Sequence, residues 1–439
     1  MAVEKTKQKG NLFAAVGAAT GLGNAFRFPA LCVSYGAAFV FAYAAALAVV
    51  CFPLLCAELR FGRRAGGVRR AKLWAFIIRV AAANSALIAL YYSVIAAKLG
   101  SACLSFACFE SAETDLSVPF FIAAAVLVTA VVFVLLRGGQ RALSVSGRLS
   151  VALSLALFSF LAIKGIARGG AFSSLDFSSL AGGAIWADAL GQALLALSLA
   201  AGVMPSFARA QKGKFSAPRT AFIIIAANFS GCLCALFATL PFVAYFPETG
   251  GVNCALTVYP QVISAVIKSP VAARVFGTLV YAVLTVVAVH SLASLATPAI
   301  TLAAKKFRAA PAIFCLFSAL LMPLFLSDGM SVLSACDRAA CSVSAILIAF
   351  AECLFFASQR DIRGVNALIL RFICPLSCGA LALFSLCSAR FNCFTPLAAA
   401  CAFLSLIAVW ACGPLPRLTY FFKRGKIAGG KKSPYEKNS

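Results

Sequence analysis

Residues 16–29 of the chain read VGAATGLGNAFRFP. The stretch begins in an apolar run of membrane-spanning length, yet Gly17, Gly21 and Gly23 place three glycines within seven residues, and an Asn, an Arg and a Pro follow. Glycine and proline both weaken a continuous helix. Backbone groups released from helical hydrogen bonds at bilayer depth must be buried in protein or line a wet cavity. The stretch therefore predicts a membrane helix that is broken near its middle.

A second irregular stretch, SLAAGVMP at residues 198–205, lies in the sixth apolar run of the chain. The two breaks occupy the same position in two successive sets of five spans. This pattern indicates an inverted repeat with a binding site near the membrane midplane, where half-helix N-termini face an anion and free carbonyls hold a cation. Two glycine-rich packing kinks between close helices would also explain it.

The composition sets the class of protein. Of 439 residues, 62% are hydrophobic and only 12% are charged, whereas a soluble domain carries about 25% charged residues. Repeated apolar runs of membrane-spanning length predict an all-α polytopic membrane protein, and the short alternating segments of a β-barrel are missing. We expect about 12 transmembrane helices in a 5+5 inverted repeat with broken helices 1 and 6. The predicted spans are 12–34, 37–59, 73–102, 119–136, 149–166, 185–207, 220–246, 273–303, 310–327, 332–357, 366–388 and 395–414.

These spans also predict the organisation of the chain. A polar amino-terminal tail precedes two five-helix repeats, and a helix pair and a basic carboxyl-terminal tail follow. The corresponding ranges are 1–11, 12–166, 185–357, 366–414 and 415–439. No small-residue cleavage site follows the first apolar run, so we interpret that run as a retained span and not as a removable signal peptide.

The charge is strongly positive, with 38 Lys and Arg against 13 Asp and Glu. In a soluble protein this excess would suggest nucleic acid, but here the basic residues lie in every second short loop, which marks the cytoplasmic side. We therefore expect a multi-pass protein of the cell membrane with both termini cytoplasmic and no nucleic-acid partner.

Cysteine and histidine give little indication of a metal centre. Most of the 18 cysteines lie inside apolar segments, where cysteine acts as a small hydrophobe. The chain has one histidine, His290, so a zinc site is not expected, and no organic cofactor is predicted. Cys103 and Cys108 flank a predicted outer loop, and whether they pair is left open.

Several motifs resemble one known family. GLGNAFRFP at residues 21–29 is similar to the first-helix signature of the neurotransmitter:sodium symporter family, in its bacterial amino-acid-transporting branch. Further similar stretches follow in order along most of the chain; they are ELRFGR at 58–63, ALYYS at 89–93, and residues 191–199, 257–260 and 290–298. The resemblance implies a leucine-transporter-like fold and secondary transport.

The resemblance implies a substrate site between helices 1, 3, 6 and 8. The substrate carboxylate would meet the N–H groups of Leu22 and Gly23 and the hydroxyl of Tyr92. The ammonium group would meet the Ser198 hydroxyl and nearby backbone carbonyls, which belong to Ala19, Leu195 and Ala196. The side-chain pocket would be lined by Ile88, Leu195, Ala201, Ser291 and Leu295.

Two departures bear on the substrate. Gly21 stands where monoamine carriers of the family have Asp, which favours an α-amino acid over an amine. Leu195 and Ala201 replace bulky aromatic residues, so we expect a roomy pocket for a large apolar or aromatic side chain.

The resemblance also implies two sodium sites. The first would use the Ala19 carbonyl, Asn24, Asn228 and the substrate carboxylate, with Ala196 contributing its carbonyl in place of a usual side-chain hydroxyl. The ligands of the second would be the carbonyls of Gly17, Thr20 and Val287 with the Ser291 hydroxyl. There His290 replaces a threonine ligand, although a hard cation prefers oxygen.

His290 leaves three interpretations open. Its imidazolium could stand in for sodium and couple transport to protons, since histidine titrates near neutrality. It could be a neutral buried side chain, with the second sodium site lost. It could also point away while backbone oxygens still bind sodium.

Arg27 and Asp337 correspond to the outer gate of the family, with Gln192 beside them; a permanent structural ion pair is the alternative. Glu58 is interpreted as a hydrogen-bonding support for the broken helix. Lysines stand at the inner gate, where the family has an acid; they are Lys5, Lys7, Lys305 and Lys306.

Together these features predict sodium-coupled symport of an α-amino acid by alternating access. A proton-coupled or uncoupled carrier or exchanger that uses His290 is the first alternative, and a substrate-binding membrane sensor that does not cycle is the second. An enzyme is not expected, because neither a metal cluster, a Ser-His-acid set nor paired carboxylates are evident at membrane depth.

Overall fold

The computed structural model describes residues 12–64, 71–108, 118–167, 176–211, 215–240, 263, 267–304, 307–359 and 365–388. Every regular element within these ranges is a helix, so the predicted all-α class is confirmed. Predicted span 12, the stretch at 257–260, both tails and the lysines assigned to the inner gate lie outside the described residues.

The helices follow the predicted spans closely. They are α1 (12–19), α2 (Leu22–Ala25), α3 (Arg27–Tyr35), α4 (Ala37–Arg63), α5 (Ala71–Cys108), α6 (Val118–Ala167), α7 (Gly183–Ala196), α8 (Val203–Ala210), α9 (Ala217–Thr239), α10 (Pro270–Ala303), α11 (Ala310–Asp337), α12 (Ala345–Ala357), α13 (Val365–Leu368) and α14 (Cys374–Ser388). Wider π-helical turns occur at Leu47–Cys51 within α4, at Arg338–Ser344 before α12 and at Ile369–Ile373 before α14. A short 3₁₀ turn, Ser178–Ala181, precedes α7.

Within the described ranges, seven helices are long and apolar enough to cross a membrane. Predicted spans 1 and 6 are missing from this set because each is divided into shorter helices. Span 9 corresponds to a shorter apolar helix, Ala310–Leu326. The predicted gap between spans 9 and 10, at residues 328–331, is wrong because the backbone stays helical to Asp337. One or two residues of low helix propensity do not end a helix.

Spans 4 and 5 both lie within α6. A straight helix of its 50 residues would be about 75 Å long, more than twice the hydrocarbon thickness of a bilayer. Gly139 has a φ of 59° and a ψ of −145°, which are not helical values. The glycine therefore divides α6 into two segments, each of a length that suits one crossing.

Burial separates central from peripheral helices. The most apolar stretch of α10 is 78% buried within the protein, whereas that of α6 is 17% buried. A helix whose apolar residues face outward needs an apolar surrounding, so α6 presents a surface suited to lipid and α10 lies at the centre. Cys103 donates to the Thr278 carbonyl and is not bonded to Cys108.

Candidate substrate and cation site

The first helix is broken at Thr20 and Gly21. The Thr20 amide and hydroxyl both donate to the Val16 carbonyl, at 2.8 and 3.0 Å, and close the first segment. Gly21 is extended, with φ −79° and ψ −170°, and α2 begins at the next residue. The first N–H groups of a helical segment have no carbonyl partner within it, so this break points free donors at its surroundings.

The second break lies between α7 and α8. Ser198, Ala200 and Gly202 all have left-handed backbone conformations, with φ values of 51°, 53° and 71°. For a non-glycine residue this conformation costs about 1–2 kcal/mol and persists only where the surroundings impose it. Glu58 provides one such restraint, because its Oε1 accepts the Ala200 N–H at 2.8 Å.

A cavity lies between the two breaks. It holds about 280 Å³ of empty space, counting the part that is open to solvent. Its lining residues come from helices 1, 3, 6 and 8 of the predicted order; they are Ala18, Gly21, Gly23, Tyr92, Leu195, Ala196, Ser198, Ser291 and Leu295. The buried Ser291 hydroxyl has no hydrogen-bond partner among the described residues, which leaves a polar group available to a ligand.

Most of the residues predicted for the substrate site line this cavity. Ile88 and Ala201 are buried but are not part of its lining, and the side chain of Leu22 is not described. Ala18 lines it and was not predicted, because a small apolar residue in an apolar run carries no distinguishing signal. The predicted roominess is not a feature of the cavity, because its 280 Å³ of empty space already counts the part that is open to solvent.

Beside the cavity, Ala19, Asn24, Asn228 and Tyr43 form what we call the amide cluster. The Ala19 carbonyl accepts two N–H groups, from Asn228 at 2.6 Å and from Asn24 at 3.1 Å. Asn228 Nδ2 also lies 3.3 Å from Asn24 Oδ1, and the Tyr43 hydroxyl donates to Asn228 Oδ1 at 2.7 Å. Asn24 and Asn228 are almost fully buried.

The chemistry of the amide cluster fits a sodium ion. A carbonyl and two carboxamides supply neutral oxygens, which hard cations prefer. Turning a carboxamide over exchanges its nitrogen and oxygen, and the tyrosine hydroxyl can accept as well as donate. The cluster can therefore offer oxygens to a cation without leaving Tyr43 unpaired. Ala196, the remaining predicted contributor, lines the adjoining cavity.

On another side of the break, His290 forms what we call the histidine junction with Ala14, Gly17, Ser146 and Gly147. Its Nδ1 is 2.8 Å from the Ser146 hydroxyl, and the backbone of Ala14 hydrogen-bonds to the ring. A Cβ atom on Gly17 would lie 2.7 Å from His290 Nε2 and 2.8 Å from Gly147 Cα. The ring is fully buried where helices α1, α6 and α10 meet.

The residues predicted for the second sodium site do not fit a sodium ion. The imidazole lies against Gly17, one of the expected carbonyl ligands. The Ser291 hydroxyl faces the cavity and lies close to Gly21, since a Cβ there would come within 2.5 Å of it. Thr20 and Val287 remain on helices 1 and 8, but the Ser291 hydroxyl, the one side-chain oxygen predicted for this site, lines the cavity.

The residues predicted as the gate contact each other or a residue of the cavity lining. Arg27 Nη1 is 3.5 Å from Asp337 Oδ2, and Arg27 also hydrogen-bonds to Ser342. The Tyr91 hydroxyl donates to Asp337 Oδ1 at 2.9 Å. Gln192 donates to the Gly23 carbonyl at 3.1 Å, which ties α7 to the first-helix break.

Paired carboxylates are present at membrane depth, contrary to the sequence-based expectation. Glu58 and Glu352 are fully buried, and their carboxyl groups face each other. Glu352 was missed, although a lone acid in an apolar run was a usable signal. Glu58 supports the helix 6 break at Ala200, and neither glutamate is part of the cavity lining.

The sequence and the fold are each similar to known proteins. The model of the sodium:neurotransmitter symporter family matches residues 4–118. No curated protein matches the sequence. The fold is similar to a crystal structure of MhsT in complex with L-phenylalanine, with a TM-score of 0.75, 22% identity, and coverage of 86% of this chain and 98% of that one. The resemblance to the sodium:neurotransmitter symporter family is therefore confirmed over residues 4–118 by the family model, and the similarity of fold to MhsT extends over most of the chain.

Proposed function

We propose that this protein is a secondary active transporter that couples the movement of an α-amino acid to sodium by alternating access. One observation carries the proposal: the cavity between the two helix breaks adjoins the amide cluster. Ala18 and Gly23 line the cavity, and their immediate neighbours Ala19 and Asn24 belong to the cluster. A ligand in the cavity and a cation at the cluster would therefore lie close to each other, so that each could change the affinity for the other.

The polar groups of the cavity favour a zwitterion. None of its lining residues has a charged side chain, so a ligand with a net charge would be buried without a partner. The free N–H groups at the helix 1 break and the Tyr92 hydroxyl suit a carboxylate. The Ser198 hydroxyl and carbonyls at the helix 6 break suit an ammonium group. An α-amino acid meets both requirements.

The apolar lining favours an apolar side chain on that amino acid. Ala18, Leu195 and Leu295 supply this part of the wall, and the similar structure of MhsT holds L-phenylalanine. We propose a large apolar or aromatic substrate. Since the cavity is compact, an aromatic ring would require Leu195 or Leu295 to change rotamer.

Asn24, Asn228 and the Ala19 carbonyl would hold the sodium ion, with the Ala196 carbonyl beside them. When bound, sodium would supply positive charge next to the substrate carboxylate. The two would then stabilise each other in a site that has no charged side chain of its own.

Alternating access would use the breaks and the gate. Arg27 and Asp337 would close the cavity on the side opposite the basic loops, which we assign to the cytoplasm, and their separation would open it outward. The half-helices on either side of each break could tilt with less loss of hydrogen bonding than a continuous helix, because regular helical bonding is interrupted there.

The test is uptake of a labelled amino-acid panel that includes Leu, Phe, Trp and Tyr into proteoliposomes containing the purified full-length protein. We expect accumulation of at least one large apolar member under an inward sodium gradient, and none with potassium on both sides. Accumulation driven by external acid alone, and lost in His290→Ala, would replace the sodium proposal with proton coupling. Saturable binding without uptake would overturn transport in favour of a sensor.

A matched pair of variants tests the substrate site itself. Tyr92→Phe removes a hydroxyl that would bond a carboxylate, and hydrogen bonds to charged groups contribute about 1.5–3 kcal/mol. We expect about 10–100-fold weaker substrate affinity. Tyr35→Phe removes a hydroxyl that donates to Asp188 outside the cavity and should leave the affinity unchanged. Equal effects in both variants would contradict the assigned site.

A further inference from the structure

The histidine junction is packed on every side that the structure describes. Gly17 belongs to α1, Ser146 and Gly147 belong to α6, and His290 itself belongs to α10. A Cβ on Gly147 would lie 3.1 Å from His290 Cε1 and 2.8 Å from the Phe13 carbonyl oxygen. Both glycines are therefore needed for α1, α6 and the imidazole to come together.

The ring has no free direction in which to turn away. Its Nδ1 is held by the Ser146 hydroxyl at 2.8 Å, while Nε2 faces Gly17 and lies 3.5 Å from the Ser294 hydroxyl. Because these contacts are made by the two ring nitrogens, a rotation about χ1 would break both. The interpretation in which His290 points away is thus disfavoured.

The groups against the ring are hydroxyls and backbone atoms, and none of those named is a carboxylate. A cation added at this position would need several oxygens around it. It would instead meet an imidazole edge beside Gly17, and the Ser291 hydroxyl is already directed into the cavity. Adding a sodium ion would require the ring to leave.

We infer that the His290 side chain takes the place of a second sodium ion, so that this carrier binds a single sodium, at the amide cluster. The inference rests on the proposed sodium coupling and specifies its stoichiometry. The imidazole bridges α1, α6 and α10 by direct contacts, which is the mechanical link that a cation between these helices would otherwise supply.

A carrier with one coupling sodium behaves differently from one with two. With no membrane potential, the steady-state accumulation ratio of a neutral substrate varies with the sodium concentration ratio raised to the number of coupled ions. A tenfold sodium gradient then supports at most about tenfold accumulation with one ion, equivalent to 1.4 kcal/mol, and about a hundredfold with two.

The decisive measurement is the amount of radioactive sodium bound at saturation by the purified full-length protein, with no substrate needed. We expect one sodium per wild-type chain and a sodium dependence with a Hill coefficient near 1. His290→Thr restores an oxygen and vacates the ring, so it should bind two. Ser146→Ala is the matched control, because it removes the hydroxyl partner but keeps the imidazole, and it should still bind one.

Two sodium ions on the wild-type chain would overturn the inference, whatever the variants do. One sodium on a folded His290→Thr chain, and on His290→Ser as a second replacement, would also overturn it, because the ring would not be what excludes the ion. No sodium on the wild type but one on His290→Thr would support exclusion by the ring while refuting the proposed sodium coupling. No sodium on any chain would overturn both.

Discussion

The amide cluster and the histidine junction lie against the same broken helix, yet they are packed very differently. At the amide cluster, a Cβ on Gly231 would approach Asn24 Nδ2 no closer than 3.8 Å, an ordinary contact. At the histidine junction, a Cβ on Gly17 would come within 2.8 Å of both an imidazole nitrogen and the backbone of Gly147. The amide cluster therefore has space beside its polar groups, whereas the histidine junction is closely packed.

The difference shows that the fold alone does not set the number of bound ions. Both regions join the first helix to other helices, and both bury polar side chains. Only the amide cluster can turn oxygens towards a cation while Tyr43 stays hydrogen-bonded to Asn228. At the junction, a single side chain supplies the contacts directly, so the helices are connected whether or not sodium is present.

The largest effect is expected from Asn228→Ala. Asn228 contacts Ala19, Asn24 and Tyr43 together, so its removal deletes a cation ligand and one hydrogen bond to each of the three. Loss of a supporting group at a metal site costs about 10–100-fold in affinity, and loss of a direct ligand should cost at least as much. Sodium titration of uptake and of sodium binding would measure it.

Tyr43→Phe is the control for that variant. It keeps the Asn228 carboxamide and removes only the tyrosine hydroxyl that donates to it. We expect a smaller loss of sodium affinity, within about tenfold. If Asn228→Ala has the same sodium affinity as the wild type, the amide cluster is not the cation site. The proposed difference between the amide cluster and the histidine junction would then be wrong.

A steric comparison of two glycines should give the next largest effect. Gly17→Ala places a methyl group against His290 and Gly147, and overpacking of this kind costs about 1–3 kcal/mol. Gly231→Ala meets only ordinary contacts, and alanine is the better helix former. We expect a lower unfolding temperature for Gly17→Ala in lipid nanodiscs and little change for Gly231→Ala. Equal unfolding temperatures would show that the junction is not tightly packed.

The sequence predicts the positions of both breaks because glycine and proline are visible in an apolar run. It does not predict that Ser198 and Ala200 adopt left-handed conformations, since neither residue prefers them and only tertiary contacts such as that with Glu58 impose them. The position of His290 on the eighth helix follows from the family resemblance. Its partner Ser146 does not, because the two residues are 144 positions apart and a serine in an apolar helix has no distinctive pattern.

The smallest effect is expected from Ser146→Ala. The variant removes the hydroxyl from His290 Nδ1, and hydrogen bonds between membrane helices contribute about 0.6 kcal/mol on average. Ser154→Ala is the matched control on the same helix, because that buried hydroxyl bonds only to the Val151 carbonyl one turn away. We expect Ser146→Ala to lower the unfolding temperature slightly more than Ser154→Ala does. The sodium affinity of both variants should equal that of the wild type, because the amide cluster is untouched. A change in sodium affinity in Ser146→Ala alone would show that the junction and the cluster are coupled, and the two regions could then no longer be treated as independent.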